Sequence, residues 1–406
     1  MDETSVRALL ETAIGDEPPI GPVARSSLRA GIRLRRRARI RRAAGGAAVV
    51  IVFAVVIPAA IGTLANTPAS RHHATRPPGP WVPPNGTAYV MNSGGGTVTP
   101  IDLATSTAGK PIIVSGEPVA MTIAPDRKTA YVASSATNSG PEPTSAQAVQ
   151  PIDLTTNTAG KPIDLQSPAD AIVVSPDGKT AYIINGFPSR TLTRVDLATN
   201  TPGKPITLSG APETITMAAD GTAYVTIQTA TAYDFMPIDL ATGKLGKPLK
   251  LSGQPGAIAI SPDGSTAYAA SQSSSTVITV TPINLTASTA GKPINLGGKP
   301  EPTNYYGEPL AIAITPDGKT AYLANGASST VTPINLATNT PGKPINLGGK
   351  PGADAIAISP DGTTAYVANQ PSSTVTPIDL AAGTPEKPIK IGHGWDSGFE
   401  AIVIAP

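Results

Sequence analysis

Two short stretches concentrate the side chains that could do chemistry. GGKPEPTNYYGEPL brings together Glu301, Asn304, Tyr305, Tyr306 and Glu308, and GHGWDSGFE brings together His393, Trp395, Asp396, Phe399 and Glu400. A third stretch, GGKPGAD, adds Asp354. Aromatic faces beside acidic groups suit a sugar, a peptide or a cation as ligand. His393 with Asp396 or Glu400 would serve as a general acid–base pair. Asp354, Asp396 and Glu400, helped by backbone carbonyls, form the kind of oxygen set that Ca²⁺ takes. Zinc is disfavoured, because residues 85–406 hold one His and the chain has no Cys. Against all of these stands a plain structural role, in which the stretches plug a channel and lock the fold.

The absence of Cys excludes disulfides, iron–sulfur centres and thiol nucleophiles. No P-loop, dinucleotide fingerprint or nucleophile elbow is present. The chemistry expected is therefore binding or scaffolding without a resident cofactor, Ca²⁺ being the one candidate. The alternative is a hydrolase or lyase acting on a small or glycan-type substrate, with His393, Asp396 and Glu400 as its catalytic candidates.

The elements that must position these residues come from a repeat. TAY recurs with tyrosines at 89, 131, 182, 224, 268, 322 and 366. PI[DN]L recurs from Pro100, Pro151, Pro237, Pro282, Pro333 and Pro377, with RVDL from Arg194 filling the gap. KP[IL] follows at Lys110, Lys161, Lys204, Lys247, Lys292, Lys343 and Lys387. A period near 46 residues with four strands per unit predicts a propeller blade. In the unit from Ala355, AIAIS is the first strand, PDG a tight turn, TAYVAN the second strand, STVTPIDL the third and KPIKI the fourth. Pro in KPI fits an outer edge strand. Pro in TPIDL predicts a bulge or a strand start. The aspartates of the PDG turns, Asp177, Asp263, Asp317 and Asp361, read as turn chemistry.

The first TAY has no first strand before it. The missing copy is AIVIAP, Ala401 to Pro406, at the other end of the chain. The prediction is an all-β, seven-bladed propeller over 85–406 with four-stranded blades, closed by the C-terminal strand entering the first blade. Unusually long connections precede Ala311, Ala355, Ala401 and Pro151, and all fall on one face. Function is sought there, where the units differ.

SPDGKTAYIIN, YVAN, TVTPIDL and AIAISPDG resemble the YVTN-type repeat of seven-bladed propellers from bacterial and archaeal surface proteins. The resemblance spans about 85–406 and covers all seven units. It departs in having TPID where that family usually shows a hydrophobic residue before ID. It implies an exported propeller and supplies no shared catalytic motif.

The chain before the repeat has a different character. Residues 1–42 carry ten Arg against five acids, leaving 20 basic and 23 acidic groups in the remainder. Residues 43–65 form a charge-free apolar run of bilayer-spanning length. The preceding RLRRRARIRR places the N-terminus inside. The expected order is a cytoplasmic Arg-rich tail at 1–42, a transmembrane helix at 43–65 and a Pro-rich linker at 66–84. The propeller would then be extracytoplasmic on a single-pass anchor, or secreted after signal cleavage near Ala65. The expected partners are the membrane and an unknown protein, peptide or glycan. Nucleic acid is not expected, since the Arg run is explained by its place beside the apolar span.

Overall fold

A computed structural model describes residues 86–135, 147–186, 189–229, 233–251, 253–274, 277–296, 309–326, 328–349, 352–369, 372–391 and 399–405. These residues form seven antiparallel sheets and no α-helix. Each sheet is one repeat, and the blades are numbered here by their TAY tyrosines, from Tyr89 in blade 1 to Tyr366 in blade 7. In blade 7, Ala353–Ile358 pairs with Thr364–Asn369, which pairs with Thr374–Asp379. The innermost strands of successive blades touch in an unbroken ring.

The ring closes as the missing first strand requires. Phe399–Ala405 runs antiparallel to Thr87–Asn92, with Ala401 opposite Met91 and Ala405 opposite Thr87. That strand also touches the inner strands of blades 2 and 7. Closure leaves the inner strand of blade 1 without an unpaired partner in its sheet.

Both faces of each blade are covered by neighbouring blades. The AIAI strands are therefore buried throughout, with Ala355, Ile356, Ala357 and Ile358 all 8% exposed or less. Small Ala alternating with Ile lets the crowded inner strands approach. The core lies between blades, in five clusters that together cover every seam. The largest spans blades 6, 7, 1 and 2 and includes Met91, Ile356, Val367 and Ile402. The TAY tyrosines are packing residues: Tyr89, Tyr131, Tyr268, Tyr322 and Tyr366 are buried.

Two expectations are corrected. The fourth strand is not continuous in six blades, but two short pieces, such as Thr107–Ala108 and Ile112–Ile113. In blade 4 the first piece reduces to the single bridge Ile238–Leu245. The break falls at Gly-Lys-Pro, or at Glu386-Lys387-Pro388 in blade 7, where Pro has no N–H to donate. Nor does Pro of TPIDL mark a bulge or a strand start: Pro100 pairs in unbroken register with Tyr89. Its carbonyl accepts from Gly109 N at 2.8 Å. Carbonyl and amide of one strand residue point to the same neighbour. The missing N–H of Pro100 therefore faces the interruption in the outer strand, where it costs no ladder bond. The two prolines of each unit explain one another.

The turn aspartates behave as read. Asp177 accepts from Ser175 Oγ and from Lys179 N, and Asp263 and Asp361 repeat the pattern. The apolar run 43–65, the tail and the linker lie outside the described residues. Among the described residues, no helix is long and apolar enough to cross a membrane.

Candidate functional site

The start of each inner strand shares one face with the end of the second strand, the start of the third and the end of the outer strand. In blade 7 that level is marked by Ala353 opposite Asn369, Asn369 opposite Thr374, and Thr374 opposite Lys390. All the long connections join strand ends at this level. The PDG turns occupy the opposite face, which is called the turn face below.

At this level the inner strands carry a repeated irregularity. The ladder skips one residue between Pro118 and Ala120, Pro212 and Thr214, Pro255 and Ala257, Pro309 and Ala311, and Ala353 and Ala355. In the closing strand it skips between Phe399 and Ala401. The extra residues are Val119, Glu213, Gly256, Leu310, Asp354 and Glu400. In blade 3 the equivalent residue is Asp170, directly before the strand Ala171–Val174. A bulge takes a residue out of the ladder and re-aims it. Four of these seven positions are carboxylates: Asp170, Glu213, Asp354 and Glu400. The other three blades carry an acid or amide two residues earlier, before a Pro, as Glu117, Gln254 and Glu308. Among the described side chains, Glu117, Asp170, Glu213 and Asp354 thus lie at one rim, on blades 2, 3, 4 and 7.

The blade 3–blade 4 seam shows how this level is built. Asn185, at the end of the second strand and 1% exposed, donates to Pro168 O at 2.6 Å. Its Oδ1 accepts from Thr193 and Thr191. From blade 2, Ser135 Oγ donates to Ala169 O at 3.0 Å. The segment entering the inner strand is thereby fixed, and Asp170 follows it, its N–H on Ile184 O at 3.0 Å. One carboxylate oxygen of Asp170 accepts from Gly186 N. A Cβ on Gly186 would stand 2.6 Å from that oxygen and 3.1 Å from Pro212 O, so only Gly fits without displacement. Glu213 follows Pro212 from the neighbouring blade.

Electrostatics follow from this crowding of acceptors. Burial pushes the Asp170 carboxyl up, partly offset by the Gly186 N–H. Burial, and then the charge of Asp170, pushes Glu213 up to about 7. Burial also raises Glu117. A carboxyl pair in which one member stays protonated near neutrality can both donate and accept a proton.

Of the residues singled out in the sequence, Asp354 sits at the bulge of blade 7. Phe399 and Glu400 begin the closing strand, their backbone alone being described. Glu301, Asn304, Tyr305, Tyr306, Glu308, His393, Trp395 and Asp396 lie outside the described residues. The chain that carries them joins Asn295 to Pro309 and Ile391 to Phe399, ends that open onto the acidic face. Among the described residues, no group of three or more His, Asp or Glu is placed to hold a metal. Sequence reasoning missed Glu117, Asp170, Glu213 and Gln254. The signal was available: alignment of the units on the first residue of AIAI exposes an acid or amide one or three places before it. Two polar atoms at this level are buried without a hydrogen-bond partner among the described residues, Ser134 Oγ and Asn369 Oδ1. Asn369 occupies the place that Asn185 holds in blade 3.

Comparison with known proteins bears on the fold. No family model and no curated protein matches the chain. Solved structures do. Hydrazine synthase of Kuenenia stuttgartiensis matches with a TM-score of 0.60 and 22% identity over 73% of this chain and 93% of that one. A functionally unknown protein from Desulfotomaculum acetoxidans DSM 771 matches with a TM-score of 0.60 and 18% identity over 79% and 99%. A protein from Lactobacillus plantarum matches with a TM-score of 0.61 and 15% identity over 79% and 99%. At these identities the likeness is one of fold, and the chain is a seven-bladed β-propeller.

Proposed function

We propose that this chain is a membrane-anchored, extracytoplasmic propeller of the YVTN type that binds a ligand at its acidic face without transforming it. The observation that carries the reading is the rim itself, where Glu117, Asp170, Glu213 and Asp354 of four blades lie at one level and where the ends of every long connection open. Repetition of the fold does not require this, because the turn face needs its aspartates for turns and this face does not. Gly86 O accepts from Leu103 N at 3.1 Å, so the described chain begins at the turn face, away from the rim. The ligand class this surface suits is a peptide or glycan bearing amino or hydroxyl groups, as in cell-wall fragments. Ca²⁺ remains a candidate at Asp354, Asp396 and Glu400.

The test uses the full chain with Trp81→Phe in detergent, so that Trp395 alone emits. Titration with peptidoglycan fragments is expected to give a saturable emission shift, abolished by deleting 299–308, with the fragments recovered intact. Cleaved fragments would sink the binding reading. The catalytic alternative is favoured by one observation, the placing of Asp170 and Glu213, both pushed up by burial, at one seam. It predicts that His393→Ala or Glu213→Gln removes turnover while the fold is kept.

A further inference from the structure

One seam between adjacent blades is open at its outer edge. At the seam of blades 1 and 2 the TAY tyrosine meets its neighbour, Tyr89 OH lying 2.8 Å from Asn157 Oδ1 and 3.1 Å from Leu154 O. Asn157 is the left-handed residue of the loop between the third strand and the outer strand. Its equivalents in the other blades are Ser106, Asn200, Gly243, Ser288, Asn339 and Gly383, all at positive φ. Gly243 packs so closely on Ile206 that a Cβ would clash. Gly383 faces open space instead, with nothing within 4 Å of where a Cβ would stand. The opening is a groove of about 740 Å³ between blades 6 and 7. Tyr322, Pro333, Pro341 and Pro344 line it from blade 6, and Gly383 and Pro385 from blade 7. An aromatic ring among prolines suits an extended, Pro-rich segment, which enters a groove already ordered as polyproline II.

We propose that the chain's own Pro-rich segment, residues 66–84, docks in this groove as a polyproline II strap. That segment holds six prolines and Trp81. The described chain begins just after it, at Gly86 on the turn face of blade 1. The loop that carries Gly383 and Pro385 is on the same face, and blade 7 alone separates the groove from blade 1. Ten residues of polyproline II span roughly 30 Å, against the roughly 10 Å from one packed sheet to the next. Charge agrees with this path. Residues 66–84 carry Arg71 and Arg76 and no acid, and exposed Asp102 and Asp361 stand on the turn faces of blades 1 and 7. Tethering sets the local concentration of the segment in the mM range, so a weak contact suffices. The strap goes beyond ligand binding at the acidic face. It needs no ligand to be tested, so its failure and that of the binding reading are separable.

The test is photo-crosslinking of the full chain in detergent, with benzoylphenylalanine in place of Pro78 or of Trp81 and the adducts mapped by mass spectrometry. The expected result is an adduct within one chain, on residues 340–346 or 380–385. Gly383→Asn copies into this seam the side chain that blade 2 presents to Tyr89, and Asn tolerates the left-handed backbone. It should lower the adduct yield severalfold while the melting temperature holds. If the variant does not fold, the adduct map of the otherwise unchanged chain decides. Adducts outside the groove, or none from either position, would overturn the proposal, as would an unchanged yield in folded Gly383→Asn. Adducts that join two chains and fade on dilution would give the groove to a second copy and overturn it equally.

Discussion

The two faces of the ring use the same side chain in opposite ways. On the turn face, aspartates are surrounded by donors. Asp102, Asp153 and Asp196 each accept from backbone N–H groups two or three residues on, and Asp177 from Ser175 Oγ and Lys179 N. These hydrogen bonds hold all four below the ordinary carboxyl range. On the acidic face, Asp170 and Glu213 are half-buried and lie above it. A carboxylate whose donors come from its own turn is explained by the fold. One that burial and a like charge push toward protonation is not, and such sites are where function is sought.

The largest expected effect removes both faces at once. Deleting Ala401 to Pro406 strips the ladder from Thr87–Asn92 and removes Ile402 and Val403, which are 0% and 5% exposed. At roughly 1.5–3 kcal/mol per buried side chain, the loss approaches the ~5–15 kcal/mol by which domains are stable. Cooperative melting should vanish in calorimetry, and an unchanged transition would falsify closure by this strand. Ile402→Ala alone should cost about 2–5 kcal/mol.

Next come two glycines, one from each face. Gly186→Ala should destabilise by about 1–3 kcal/mol, because its Cβ meets the Asp170 carboxylate and the Pro212 carbonyl. Gly264→Ala has open space around it and meets only the strain of φ +72°, at about 1 kcal/mol. Equal losses in urea melts would remove the special packing claimed for the acidic face.

A smaller pair comes from the repeat tyrosines. Tyr89 OH donates within bonding distance of Asn157 Oδ1, 2.8 Å away in the next blade, and of Leu154 O at 3.1 Å. Tyr89→Phe should cost about 1 kcal/mol. Tyr366 OH is buried with no partner among the described residues, so Tyr366→Phe should be neutral or stabilising.

The faces also divide the pH scale. Carboxylates lowered on the turn face stabilise the fold above 3.8 and lose that contribution as pH falls further. Glu213 acts in the other direction, losing its contribution as pH rises to about 7. A full-chain stability maximum is expected between these limits. Stability still rising from pH 6 to 8 would contradict it.

The ring was legible because it is repeated. The seven periodic TAY marks (an eighth TAY, ending at Tyr233, falls outside the period) and seven KP[IL] marks specify period, strand order and the missing first strand that AIVIAP fills. The split outer strand was less legible, since it depends on where Pro100 and Gly109 meet across two strands. The site was legible in part. Asp354 and Glu400 stood out through unusual neighbours in sequence. Asp170 and Glu213 sit in ordinary-looking units, and their meaning comes from equivalent places on adjacent inner strands. Bulge placement and burial at a seam are tertiary facts that single-strand patterns do not carry.

The most direct test of a binding face sets the two kinds of carboxylate against each other. One full-chain variant carries Asp170→Asn, Glu213→Gln and Asp354→Asn, the other Asp177→Asn, Asp263→Asn and Asp317→Asn. Each is titrated with peptidoglycan fragments by calorimetry at pH 7 and melted in parallel. The account predicts that the first loses binding and melts no lower than wild type, while the second binds as wild type and melts lower. Binding retained by the first and lost by the second would contradict it.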